Sequence, residues 1–195
     1  MIKKLVFVVL VLCWNPGYLL AFTFDNWHSG MTLDEVLTLS EKKDIPIRRD
    51  GLVGTKEHFD PKTSRIYADK ARIFYYKTRL VNEPAKVMLQ FTEESRILYE
   101  VKISWQGVNV KKGLPPAVEE MLQKKYGSST KSRKRFSKDE IWHLDQDNQL
   151  IMKNTGVVLQ LRYIDLILEK TAIAEKERAQ QMKRQQGLVK DQNKF

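Results

Sequence analysis

The stretch Arg96 to Trp105 constrains this chain more than any other. Ile97, Tyr99, Val101, Ile103 and Trp105 fall at every second position, with Glu100, Lys102 and Ser104 between them and Leu98 as the exception. A period of two is the side-chain repeat of a strand. One apolar side and one polar side mean an antiparallel sheet covered on one face. Two more strand signals precede it: the aromatic-rich Arg72–Thr78, and Lys86–Thr92 with Val87, Leu89 and Phe91 on one side. Thr92-Glu93-Glu94-Ser95 is the expected turn between the last two. Tyr75 and Tyr76 are neighbours on a strand, so one faces the core and the other solvent or a covering loop.

A helix signal stands before these strands. Thr32 and Glu35 have capping-box spacing, and Leu33, Val36 and Leu37 share one face. The helix should stop before Ile45-Pro46, since a residue preceding proline avoids the helical region. Residues 46–70 contain Gly51, Gly54 and Pro61 and read as a long loop or an irregular hairpin. The pattern then restarts. Leu114-Pro115-Pro116 opens a second helix with Glu119 and Glu120 expected in its first turn, Lys124 and Lys125 in its last, and Val118, Met121 and Leu122 as its buried stripe. Strand signals recur at Glu140–Leu144, Gln149–Lys153 and Gly156–Tyr163, the last alternating through Val157, Leu159, Leu161 and Tyr163.

The expected fold class is therefore α+β: two tandem units, each a helix plus a three-stranded antiparallel meander, followed by a charged C-terminal helix. Residues 22–110 form the first unit, 111–164 the second, and 165–195 the helix and a disordered tail from Gly187. A single six-stranded domain, or one merged sheet with helices on one face, fits the same order of elements.

Residues 1–21 read as a signal peptide. Lys3 and Lys4 precede the apolar run Leu5–Leu12, Asn15-Pro16-Gly17 breaks it, and cleavage is expected after Ala21. The signal is of a bacterial kind, so the expected destination is the periplasm or beyond. An uncleaved anchor from Leu5 to Phe24 is the competing reading, and lipidation of Cys13 a third. Cleavage removes two lysines and no acid, which takes the net charge of the 195-residue chain from +10 to 10 − 2 = +8. It also removes the only cysteine, so no disulfide is expected and the core must hold the fold.

Gly30-Met31-Thr32-x-x-x-Val36, followed by an aromatic strand and the Phe91–Val101 hairpin, resembles the SmpA/OmlA, or BamE-type, periplasmic domain. Residues 29–105 carry the likeness and 114–164 carry it more faintly, Trp142 falling where an aromatic first strand is expected. Leu39-Ser40 stands where the family has Leu-Gly-x-Pro. The resemblance implies helices packed on an antiparallel meander, and a binding or scaffold role, not an enzyme.

The strongest charge cluster is Lys124, Lys125, Lys131, Arg133, Lys134, Arg135 and Lys138, within a stretch from Met121 to Lys138 that holds no acid. Such cations suit an anionic partner: a lipid headgroup at a membrane surface, an acidic polysaccharide, or an acidic protein patch. A nucleic-acid partner is not expected, because few stacking aromatics accompany the charge. No cofactor is expected. His58 and Asp60 supply two metal ligands in the 46–70 loop without a third at a recognisable spacing, so no metal is expected; His28 and His143 suggest none either. No nucleophile elbow, zinc-helix motif or phosphate loop is present, and no enzyme is expected. The alternative is a small hydrolase sited around His58 and Asp60.

Overall fold

The computed structural model describes residues 21–49, 71–107, 110, 113–131 and 139–192. In chain order these form β1 (Thr23–Phe24), β2 (Trp27–His28), α1 (Leu33–Lys42), β3 (Arg48–Arg49), β4 (Ile73–Leu80), β5 (Glu83–Phe91), β6 (Leu98–Gln106), α2 (Leu114–Tyr126), β7 (Thr130–Lys131), β8 (Glu140–His143), β9 (Asn148–Asn154), β10 (Val158–Asp165) and α3 (Leu166–Gln192). β1 and β2 pair as a small hairpin. The other eight strands form one sheet in the order β3-β4-β5-β6-β10-β9-β8-β7, with every neighbour antiparallel.

This overturns the expectation of two tandem units, although α+β remains compatible with it. The molecule is strand-rich and its sheet is continuous. β6 and β10 pair in unbroken register from Gln106↔Val158 to Glu100↔Ile164. The physical reason lies at the strand edges. A separate meander would end on β6 or β10 with a row of unpaired N–H and C=O groups, and joining the two satisfies both rows at once.

The sheet has one apolar face. Phe74, Val87, Leu89, Val101, Ile103, Leu150, Leu159 and Leu161 are all buried there, in a single cluster that also takes in Leu33, Val36 and Leu37 of α1 and Leu114, Val118 and Leu122 of α2. Trp27 of the N-terminal hairpin enters the same core and donates its indole N–H to the Tyr76 hydroxyl (2.9 Å). Phe22 is buried against Tyr163, and its backbone N–H donates to the Asn148 side chain (3.2 Å). The capping box forms as expected. The Glu35 N–H donates to Thr32 Oγ1, and the Thr32 N–H donates to the Glu35 carboxylate (2.7 Å).

Several local expectations are corrected. In β6 the core residues are Leu98, Val101, Ile103 and Trp105, not Ile97 and Tyr99. Leu98 pairs with Phe91 and Glu100 with Gln90, so Tyr99 is the extra residue of a β-bulge, and the alternation reverses across it. In α2 the first turn holds no acid, and Met121 is exposed while Leu114 takes its place in the stripe. Val157 lies in a turn, exposed. α3 stays helical to Gln192, through residues expected to begin the tail. No described helix is long and apolar enough to cross a membrane.

Candidate anion-binding face of the sheet

α1 and α2 pack on the apolar face; on the other face α3 lies over one end, where Glu169 meets Arg162 and both Glu100 and Ile164 are buried, and the strand residues beyond that end are the ones a partner can meet. Pairing register places the residues of this face in rows that run across the strands. One row reads Tyr75, Met88, Lys102, Arg162, Ile151 and Ile141, with Arg48 opposite Tyr75 at the edge. The next reads Lys77, Lys86, Ser104, Gln160 and Lys153. Arg79 lies beyond Lys77 on the same side of β4, and donates to the Asn82 carbonyl (2.7 Å). Against these cations the described strands place one carboxylate on this face, Glu100.

Glu100 is spoken for. It is 2% exposed, and the Arg162 guanidinium grips it with two hydrogen bonds, of 2.7 and 3.1 Å. Lys102 approaches at 3.8 Å, and Glu169 of α3 reaches Arg162 from above at 3.8 Å. The Glu100 hydrogen bond holds the Arg162 guanidinium above its ordinary range, so it stays charged. Tyr99 lies beside this group; burial, and then the Glu100 charge, push its phenol up to about 12. The network ties β6, β10 and α3 together. It leaves the neighbouring row without an acid.

That row is dominated by donors. Lys77 and Lys153 are exposed, and Lys86 sits with its Nζ 4.0 Å from the centre of the Tyr75 ring. Lys77 and Lys86 stand directly opposite one another. Like charges so placed repel each other.

The basic residues expected from the sequence lie elsewhere. Lys124 and Lys125 are on α2, on the helical side. Lys124 pairs with Glu120 one turn back (3.0 Å), both well exposed, and Lys125 lies 4.9 Å from the Tyr126 ring. Exposed pairs of this kind contribute little. They flank a shallow groove of about 450 Å³ that Met121 and Ala117 also line. Lys131 is exposed on the short edge strand β7, opposite Glu140. Arg133, Lys134, Arg135 and Lys138 fall outside the described residues, as do His58, Asp60 and Cys13. The structure thus does not bring Lys124, Lys125 and Lys131 onto the open face.

Of the histidines, His28 shares a hydrogen bond with the Ser29 carbonyl (3.0 Å), and His143 is exposed beside Gln149 (3.3 Å). Among the described residues no group of three or more His, Cys, Asp or Glu is placed to hold a metal. The sequence reading missed Lys77, Lys86 and Lys153 because it sought charge in contiguous runs. Their one signal was position: each is the strand neighbour of a residue buried on the apolar face, Tyr76, Val87 and Met152. No protein-family model, curated protein or solved structure matches this chain.

Proposed function

We propose that this chain is an exported, non-enzymatic binding module of the bacterial cell envelope that engages an anionic partner across the open face of its sheet. The observation that supports the reading is the row Lys77, Lys86, Ser104, Gln160 and Lys153, which holds three cations and no acid. Charge laid out this way steers an anionic partner and fixes how it lies. Lys131 stands on β7 at the far edge of the sheet, and the cations that follow it in the sequence serve as a second, steering contact. The resemblance to SmpA/OmlA (BamE-type) domains supports the same class of role. Export rests on the N-terminal signal. Cleavage after Ala21 would leave Phe22, already seated against Asn148, as the first residue.

The test uses the chain from Phe22 onward and immobilised polygalacturonate, at low and at high salt. Binding should be salt-sensitive, because exposed charges are screened over about 8 Å at physiological ionic strength. A K77Q/K86Q/K153Q variant should lose most of it and a K124Q/K125Q variant little. Wild-type binding by the triple variant would overturn the role of the face. Intact mass of the exported protein tests the cleavage site.

A further inference from the structure

We infer that the Ala21–Phe22 bond is cut before the N-terminal hairpin docks, and that the α-ammonium released at Phe22 is then held in a site built from Asn148 and Asp145. This rests on the reading above, that residues 1–21 are an export signal.

The chain passes from solvent to core at that bond: Ala21 is exposed and Phe22 is buried. Phe22 is engaged at three points. Its N–H donates to Asn148 Oδ1 (3.2 Å), its carbonyl accepts from the Ser29 N–H (3.2 Å), and its ring lies 6.1 Å from that of Tyr163. An endopeptidase takes the residues on both sides of a scissile bond in extended form, free of other partners, so a bond held this way is cut only from an opened state. Opening means lifting Phe22, and with it the fully buried Trp27, out of the core. β1 and β2 pair over two residues each, and a hairpin so short holds little by itself. Its docking is therefore what closes the bond to a peptidase.

The receptor for the new terminus is fixed from behind. Asn148 is fully buried, and its Nδ2 donates to both carboxylate oxygens of Asp145, at 3.0 and 2.9 Å. Asp145 Oδ1 also accepts from the N–H groups of Asp147 and Asn148, each at 2.8 Å. An ionised carboxylate only accepts, so the Asn148 amide must turn its nitrogen to Asp145 and its Oδ1 to Phe22. In the uncut chain that oxygen receives an amide N–H. Hydrolysis by a signal peptidase adds water across the bond. The hydroxyl goes to the Ala21 carbonyl and the hydrogen to the Phe22 nitrogen; the acid's proton then passes to the amine, leaving a carboxylate and an ammonium. The contact to Asn148 becomes charge-assisted, about twice as strong as before. Asp145 behind the amide favours the cation, and Asp147 in the same turn and Asp165, opposite Asn148 on β10, add to the negative field. On the side where Ala21 stood, water meets the remaining donors.

Two measurements test the inference. The full 195-residue chain is offered to a bacterial signal peptidase, once folded and once on dilution from urea. Cutting after Ala21 should be at least tenfold faster from the unfolded chain, roughly the factor that one hydrogen bond to a charged group carries. Equal rates would overturn the order of events. The exported protein is then acylated, and modification of its α-amine is followed by peptide mass mapping. The Phe22 amine should react about tenfold more slowly in the folded protein than in urea. A chain that retains Ala21 should react equally fast in both. Asn148→Ala should raise the reactivity of the folded Phe22 amine; unchanged protection would overturn the role of Asn148. If circular dichroism shows that variant unfolded, the comparison of Phe22 with Ala21 starts decides alone. A Phe22 amine as reactive folded as in urea would overturn the site. Intact mass separates the failures. An exported protein that keeps residues 1–21 sinks the cleavage reading and this inference together, whereas a Phe22 start with a reactive amine sinks only the inference.

Discussion

Lys77 and Lys86 face each other across β4 and β5, an arrangement that lowers stability. A residue kept for binding at the expense of folding can be exposed by exchanging its sign. Lys77→Glu should raise stability by roughly 0.2–1 kcal/mol, read from the denaturation midpoint, because an opposite-charge pair replaces a like-charge one. The same variant should bind polygalacturonate more weakly. A variant that gains stability and binds as before would separate Lys77 from the site. A second residue-scale test lies at the bulge. Leu98 is fully buried and Ile97 is half-buried, so Leu98→Ala should cost about 2–5 kcal/mol and Ile97→Ala distinctly less. Strict alternation through β6 predicts the reverse order, which makes denaturant unfolding of the pair decisive. This is where sequence legibility ran out first. Alternation was plain, but one inserted residue reverses it, and nothing local to Leu98 and Tyr99 marks the insertion. The partner strand does, by seating Leu98 against Phe91.

At the scale of an element, α3 is held by carboxylates at two points. Asp165 accepts from the N–H groups of Ile167 and Leu168 and so caps its start (3.1 and 3.0 Å). Ten residues on, Glu175 is 3% exposed and accepts from the N–H groups of Glu94 and Ser95 and from the Ser95 hydroxyl, at 2.6, 3.3 and 2.7 Å. Burial pushes the Glu175 carboxyl up, but the Glu94 N–H and the Ser95 donors outweigh it and leave it below the ordinary 4.5. A carboxyl depressed in the folded state stabilises it above the unfolded value. That contribution is lost as pH falls from about 4.5 through the folded value. Glu175→Gln should cost about 1.5–3 kcal/mol at neutral pH, the range for hydrogen bonds to a charged group, and should flatten the acid limb of the stability curve. An unchanged acid limb, measured by denaturant titration from pH 6 to pH 3, would show that Glu175 does not clip the helix. The helix itself was legible in its sequence. Its clip to the 92–96 turn was not, because the partners lie 80 residues apart.

On the scale of the whole molecule, the β6–β10 seam makes one sheet and one core of what reads as two units. A continuous core unfolds as one. Far-UV circular dichroism and tryptophan fluorescence should therefore give coincident transitions. A Trp142→Phe variant of the chain from Phe22 onward, in which the buried Trp27 and Trp105 of the first half carry the emission, should keep them coincident. Two separated transitions would show that the halves fold independently. The seam also makes the face. Lys77 and Lys86 come from the first meander, Gln160 and Lys153 from the second, and only the antiparallel register between Ser104 and Gln160 sets them in line.

The sequence by itself determined what depends on neighbours a few residues away: the capping box of α1, the location of the six long strands, the inward Val87, Leu89 and Phe91 of β5, and the inward Leu159, Leu161 and Tyr163 of β10. These follow from periods of two and 3.6 and from single capping residues. Tertiary structure alone decided the bulge at Tyr99, the union of two meanders into one sheet, the burial of Glu100 under Arg162, and the row of donors from Lys77 to Lys153. Each of these depends on which strand lies beside which, and in what register. Strand edges choose their partners by satisfying backbone groups that every sequence carries alike, so the choice leaves almost no mark on the residues that the pairing brings together.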